Sequence, residues 1–152
     1  MAPTIAPPGE ADRADWRRLY DGYADFYEMP MTDAVAAATW RWIRDPAHEV
    51  EGAIARAADG TAVGLAHYRR VPSPLRGTDC GFLDDLYVDP SARGQGIGAA
   101  LIAHVERIGR RRGWRRIQWI TADDNHRARA LYDRVAAKTS WTVYEIGLGE
   151  SR

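Results

Sequence analysis

A lone cysteine, Cys80, leaves the chain without any intramolecular disulfide, so a packed core has to hold the fold. That usage fits a reducing compartment and leads us to expect a cytoplasmic protein. An excess of either charge is missing too. The 21 basic and 21 acidic residues cancel, and no overall field favours nucleic acid or an anionic membrane. No apolar segment approaches the roughly 18 residues that span a bilayer. The opening "MAPTIAPPGEADR" has neither the basic start nor the apolar run of a signal peptide. The 4 histidines show no metal-ligand spacing, so no metal is expected. Repeats and low-complexity tracts are absent. What is there is an ordinary globular composition, 45% hydrophobic and 28% charged. Its size predicts one domain over residues 1–152.

Aromatic residues are plentiful early on. Trp16, Leu19, Tyr20, Tyr23, Phe26 and Tyr27 recur at three- and four-residue steps, which predicts a helix over residues 10–27 with one apolar face. Residues 3–6 read as a short edge strand stopped by Pro7 and Pro8. A second helix is expected from Thr32 or Asp33 to Arg44, with Pro46 beyond it. Two strands follow, joined by a turn at Asp59-Gly60, and "CGFLDDLYV" makes a third. Helical spacing resumes at Ile97, Leu101, Val105 and Ile108, with Gly113 as its C-terminal cap. "WRRIQWIT" reads as a strand, "NHRARALYDRVAAK" as a helix and "WTVYEIGL" as a final strand. This order predicts an α/β fold with a central mixed sheet, antiparallel first, and helices on both faces.

Three glycines, Gly94, Gly96 and Gly98, crowd into "YVDPSARGQGIGAAL" just where a helix starts. A glycine-rich turn there presents unpaired backbone N–H groups beside the positive end of the helix dipole, which suits a phosphate. Two familiar phosphate loops are excluded. The Walker pattern needs Lys and Ser or Thr where Ala99 and Ala100 stand, and the glycine intervals do not fit G-x-G-x-x-G. The alternative is a turn with spare glycines.

Two further groups of residues invite chemistry. Asn125, Arg129 and Tyr132 are spaced i, i+4, i+7 and share one arc of a helix. On spacing alone Tyr132 could equally be a core residue and Arg129 a solvated one. Asp84 and Asp85 interrupt a strand expected to be covered on both faces, where carboxylates are costly unless paired or reached by water. Successive side chains of a strand point to opposite faces, so the two are expected to play different roles. A carboxylate can draw in an ammonium and accept its proton; equally, either acid could cap a loop or pair with arginine.

Arg93, Gly96 and Gly98 fit R-x-x-G-x-G after the strand "LDDLYV" and Asp89-Pro90. At this point the chain resembles the GCN5-related N-acetyltransferase (GNAT) superfamily, which binds acetyl-coenzyme A through such a loop. The stretches "LDDLYVDPSARGQGIGAALIAHVERIGRRRGW" and "NHRARALY" are most similar to its diamine acetyltransferase branch. The resemblance runs over residues 50–148. It implies that backbone around Leu86, Tyr87 and Val88, and along Arg93, Gly94, Gln95, Gly96, Ile97, Gly98 and Ala99, holds coenzyme A beside a splayed strand pair. It implies that Tyr132 is a general acid and that Asn125, with Arg129, contacts the cofactor. Related diamine enzymes carry Glu-Asp in place of Asp84-Asp85, so a water relay is expected at the shorter Asp84. One departure stands out: the superfamily's usual Gly-Phe after the tyrosine is replaced here by Ala136-Ala137-Lys138.

The expected activity is direct acetyl transfer from acetyl-coenzyme A to a primary amine of a small molecule such as a diamine, polyamine or amino acid. A protein N-terminus or lysine is the alternative acceptor, and a non-catalytic coenzyme-binding module is the alternative class. A homodimer is a further expectation from the resemblance.

Overall fold

The computed structural model describes residues 2–149. They group into two compact units, one up to Ile120 and one from Thr121 on. The first unit holds a five-stranded sheet in the order β1-β2-β3-β4-β5. Its strands are β1 (Thr4–Ala6), β2 (Val50–Arg56), β3 (Ala62–Ser73), β4 (Thr78–Val88) and β5 (Ile117–Gln118). The first four pair antiparallel and β5 joins β4 in parallel, so the sheet is mixed as the element order predicts.

Two helices, α1 (Arg13–Phe26) and α2 (Asp33–Arg44), precede the central strands, and α3 (Ile97–Arg112) lies between β4 and β5. The aromatic spacing of α1 has the expected result in its N-terminal half, while Phe26 and Tyr27 at its end stand 54% and 43% exposed. Trp16 and Leu19 pack with Ala36 and Trp40 of α2 against Ile54 and Leu65, burying one face of the sheet. Thr32 caps α2 by accepting from the Val35 N–H at 3.2 Å. On the opposite face α3 comes unusually close. A Cβ on Gly64 of β3 would stand 2.9 Å from Ile97 Cγ2 and 3.0 Å from Leu101 Cδ1. Only glycine permits that approach. The α3 helix ends at Gly113, which takes φ 76°, the left-handed conformation of a C-terminal cap.

The hairpin of β2 and β3 turns at Asp59-Gly60, with Gly60 at φ 87° and the Asp59 carboxylate accepting from the Thr61 N–H. Between β3 and β4 the register slips. His67 pairs with Asp85, whereas Tyr68 pairs with Leu83, so Asp84 is the extra residue of a bulge.

The second unit holds α4 (His126–Val135), which has no buried residue. Residues 141–148, expected as a final strand, form no strand. They run without a sheet partner and leave Trp141, Val143, Tyr144, Ile146 and Leu148 between 65% and 96% exposed. The alternating apolar pattern was a correct sign of strand propensity, but propensity makes a strand only when an edge is there to pair with. The expected strand around residues 114–121 likewise shrinks to Ile117–Gln118.

Candidate active site

Asp84 and Asp85 do not point to opposite faces. Asp84 accepts twice from Arg69 Nε, at 3.1 and 3.0 Å, and Asp85 lies 2.8 Å from His67 Nδ1. His67 and Arg69 are two residues apart on β3 and share a face, so both acids take partners there. The bulge is the physical reason. An extra residue in β4 breaks the two-residue alternation and turns successive carboxylates the same way.

Their environments push them apart. Burial pushes the Asp84 carboxyl up; the Arg69 guanidinium opposes this and the neighbouring Asp85 charge adds to it, leaving a net rise. Burial also pushes Asp85 up, yet the hydrogen bond and the electrostatic attraction of His67, with hydrogen bonds from Tyr23 and Tyr20, overcome it and hold Asp85 below the usual carboxylate range. The Tyr20 hydroxyl donates to Asp85 at 3.3 Å from α1. Tyr23 on the same helix has its hydroxyl pushed far up by burial and by the Asp85 charge, so it stays a donor. Two carboxylates with opposed shifts on one face divide naturally into a permanent charge and a proton acceptor.

Beyond Phe82, β4 has no strand partner on its β5 side, because that pairing consists of Gly81 with Ile117 and Phe82 with Gln118. The strand pair therefore parts just where the two acids begin. Leu86, Tyr87 and Val88 are half-buried along this open stretch, which leads into the glycine loop. Asp89 shapes the entry by accepting from the Ser91 N–H at 2.9 Å. Gly94 and Gly96 then adopt φ 79° and 77°, and a Cβ on either would meet nothing within 4 Å. Gly96 is the N-cap of α3 and supplies no side-chain cap. The first-turn N–H groups of Ile97, Gly98 and Ala99 thus have no intrahelical acceptor. Gln95 is exposed and Arg93 half-buried, its Nε 3.4 Å from the Val88 carbonyl. Open space, uncapped donors and an unpaired strand edge fit a pyrophosphate with an extended arm.

In the second unit, Asn125 caps α4. Its side-chain oxygen accepts from the Ala128 N–H, and its amide donates to Thr121 Oγ1, both at 3.4 Å. Arg129 Nη1 donates to the Asp123 carbonyl at 2.6 Å. Asn125, Ala128, Arg129, Leu131 and Tyr132 form the half-buried arc of the helix.

His104 is half-buried and its imidazole is pushed toward the neutral form by burial and two arginines. Trp40 packs in the core, while Trp42 stacks on His48 with centroids 5.1 Å apart. His67 and Arg69 were not singled out at all. A histidine inside the apolar run "AVGLAHY" was the one available signal. Its partner across the sheet depends on a bulge that no local pattern announces.

The sequence profile of the Acetyltransferase (GNAT) family matches residues 16–136. This chain belongs to the GNAT family. It is an N-acetyltransferase with the mixed sheet and helix cover of that fold. A D-amino-acid N-acetyltransferase of Saccharomyces cerevisiae, HPA3, is 33% identical over 135 residues, covering 88% of this chain and 84% of the yeast protein. The type 1 aminoglycoside N(6')-acetyltransferase of Stenotrophomonas maltophilia is 33% identical over 138 residues, with 84% of each chain covered. In three dimensions the chain is similar to an aminoglycoside N-acetyltransferase, AAC(6')-Iy, solved with coenzyme A. That match has a TM-score of 0.81 at 23% identity and covers 95% of this chain and 94% of the other. Among the described residues, no helix is long and apolar enough to cross a membrane.

Proposed function

We propose that this N-acetyltransferase takes its acetyl group from acetyl-coenzyme A and delivers it to a primary amine of a small molecule, such as an amino acid, diamine or polyamine. One observation carries the reading. The bulge sets two carboxylates on one face of β4, at the point where that strand loses its partner and runs toward an uncapped, open glycine loop. About 10 Å of extended strand separates Asp85 from Val88, enough to lead an arm from the loop to the acids.

The backbone of Leu86, Tyr87 and Val88, and the loop from Arg93 through Gly94, Gln95, Gly96, Ile97, Gly98 and Ala99, would hold the coenzyme, with Asn125 and Arg129 as further contacts. Bound there, the coenzyme supplies a thioester activated for attack. Asp85, ionised and fixed, attracts the substrate ammonium. An alkyl ammonium near pKa 10.4 must lose a proton before it can attack. Asp84, lifted by burial and by the Asp85 charge, accepts that proton directly or through water. The Tyr132 hydroxyl holds a proton for the departing sulfur. The transfer is direct, with no acyl-enzyme. Small amines are also the substrates in the names of both relatives, D-amino acids and aminoglycosides.

One catalytic domain is proposed to comprise both units, acting in the cytoplasm. A homodimer is proposed as well, supported by five large apolar side chains in residues 141–148 that stand mostly exposed and that a second copy would cover. Light scattering should give twice the monomer mass, and Trp141→Ser with Ile146→Ser should shift it to one. The activity is tested by thiol release across L- and D-amino acids, diamines, aminoglycosides and peptides. Saturable turnover with a small amine is expected. Turnover with peptides alone, or none above the uncatalysed rate, would overturn it.

A further inference from the structure

The proposed role of Asp85 as the ammonium anchor raises the question of what keeps that carboxylate charged and still, and the following rests on that role. Its main partner, His67, is 1% exposed, and so is Trp16 beyond it. Trp16 Nε1 donates to His67 Nε2 at 2.9 Å. An indole nitrogen can only donate, so His67 Nε2 must be bare. The one proton of a neutral imidazole then sits on Nδ1, facing Asp85 Oδ2 at 2.8 Å. Tyr20 packs edge-on against the imidazole, with centroids 4.7 Å apart and planes at 87°. The groups around Asp85 are therefore His67 from β3, Tyr20 and Tyr23 from α1, and Asp84, which is itself tied to Arg69.

We propose that His67 is a positioning residue for Asp85, locked by Trp16 as the neutral Nδ1–H tautomer, so that it braces the carboxylate without cancelling its charge. The same lock makes the chain Trp16–His67–Asp85 a brace and not a proton wire. A proton arriving from the ammonium breaks an N–H bond and makes an O–H bond at a carboxylate. It cannot pass inward, because Nδ1 already carries a proton and the Nε2 lone pair is engaged by the indole. It leaves to water, to which the Asp84 and Asp85 side chains are 29% and 22% exposed. A charged imidazolium at this place would neutralise Asp85 and weaken its hold on an ammonium. Trp16 forbids that charge, since a second proton on Nε2 would set two donors face to face.

The test begins with the unmodified full chain. ¹⁵N-histidine NMR resolves four imidazoles, and His67 is assigned by its loss in His67→Asn. We expect His67 to show one protonated and one bare nitrogen, the proton on Nδ1. Two protonated nitrogens, or the Nε2–H tautomer, overturns the lock.

Trp16→Phe should release it, leaving His67 Nε2 open to a second proton. The KM for the amine should then rise several-fold more at pH 6 than at pH 8, while kcat changes little between them. A loss that is the same at both pH values would overturn the positioning role, because a merely loosened core has no reason to respond to a proton on His67. His67→Asn, which keeps an N–H toward Asp85, should recover most of the affinity that His67→Leu loses. Equal affinity loss in both overturns the brace. Failure of the anchor reading looks different: Asp85→Asn would leave amine KM unchanged while the wild-type NMR still shows the locked tautomer.

Discussion

The two ends of the open stretch of β4 would build the proposed site by opposite means. At the loop end the working groups are backbone N–H donors, exposed, and cleared of side chains by Gly94 and Gly96. At the acid end they are side chains, packed against α1 and held by partners 15 to 65 residues away, or drawn together by a bulge. A ligand phosphate needs donors that are already unpaired, which a helix start provides at no extra cost in desolvation. A carboxylate that must stay ionised beneath a helix needs several donors brought to it, or burial would neutralise it. The first device is a local property of the chain and the second a property of the tertiary structure.

The comparison can be broken in order of expected effect. Asp85→Asn keeps the shape but removes the charge, and should lower kcat/KM for the amine by about 10³-fold with coenzyme affinity preserved. Thiol release and calorimetry measure the two separately. Tyr132→Phe should cost about 10²-fold in kcat with similar coenzyme affinity, and an unchanged kcat would remove Tyr132 from the chemistry. Gly96→Val forces a β-branched residue to φ 77°, at a cost of roughly 1–3 kcal/mol. It should weaken coenzyme binding about tenfold or more in calorimetry, whereas Gly60→Val, the same residue at φ 87° in the hairpin turn, should not.

The smallest effect is on stability against pH. The Asp85 pKa is depressed on folding, so its contribution is present above about pH 3.9, the unfolded value, and is lost as pH falls through the lower folded one. Asp84 has the opposite sign. Its folded pKa is raised, so its contribution is present at low pH and lost as pH rises through that value. Urea melts between pH 2 and 6 should show a shallower acid-side loss in Asp85→Asn and a steeper one in Asp84→Asn.

This contrast also explains what could be read from the sequence. The glycine loop, the α3 start at Ile97, the Gly113 cap and the Thr32 cap are written in adjacent residues, and each lies where the pattern puts it. The acids were visible as misfits in a strand, but their shared face was not, because a one-residue bulge inverts the alternation rule. Trp16 and Tyr20 read as one apolar face; Trp16 is buried in the core and Tyr20 packs half-buried against it. What escaped is that each also spends its polar end on a group elsewhere in the chain: Trp16 on His67, 51 residues on, and Tyr20 on Asp85, 65 residues on. Residues 141–148 differ in the other direction, with a strand's composition and no strand formed.

The contact at Gly64 has a consequence for how the phosphate end could be tuned. Gly64 belongs to β3, yet it sits under Ile97 and Leu101, the opening turn of the helix whose N–H groups face the loop. It works as a shim of zero thickness. A methyl group added there would lift the helix start by a few tenths of an ångström and carry every donor of that turn with it. If the loop holds the coenzyme as proposed, its grip is set partly from inside the core, by a residue that never meets it.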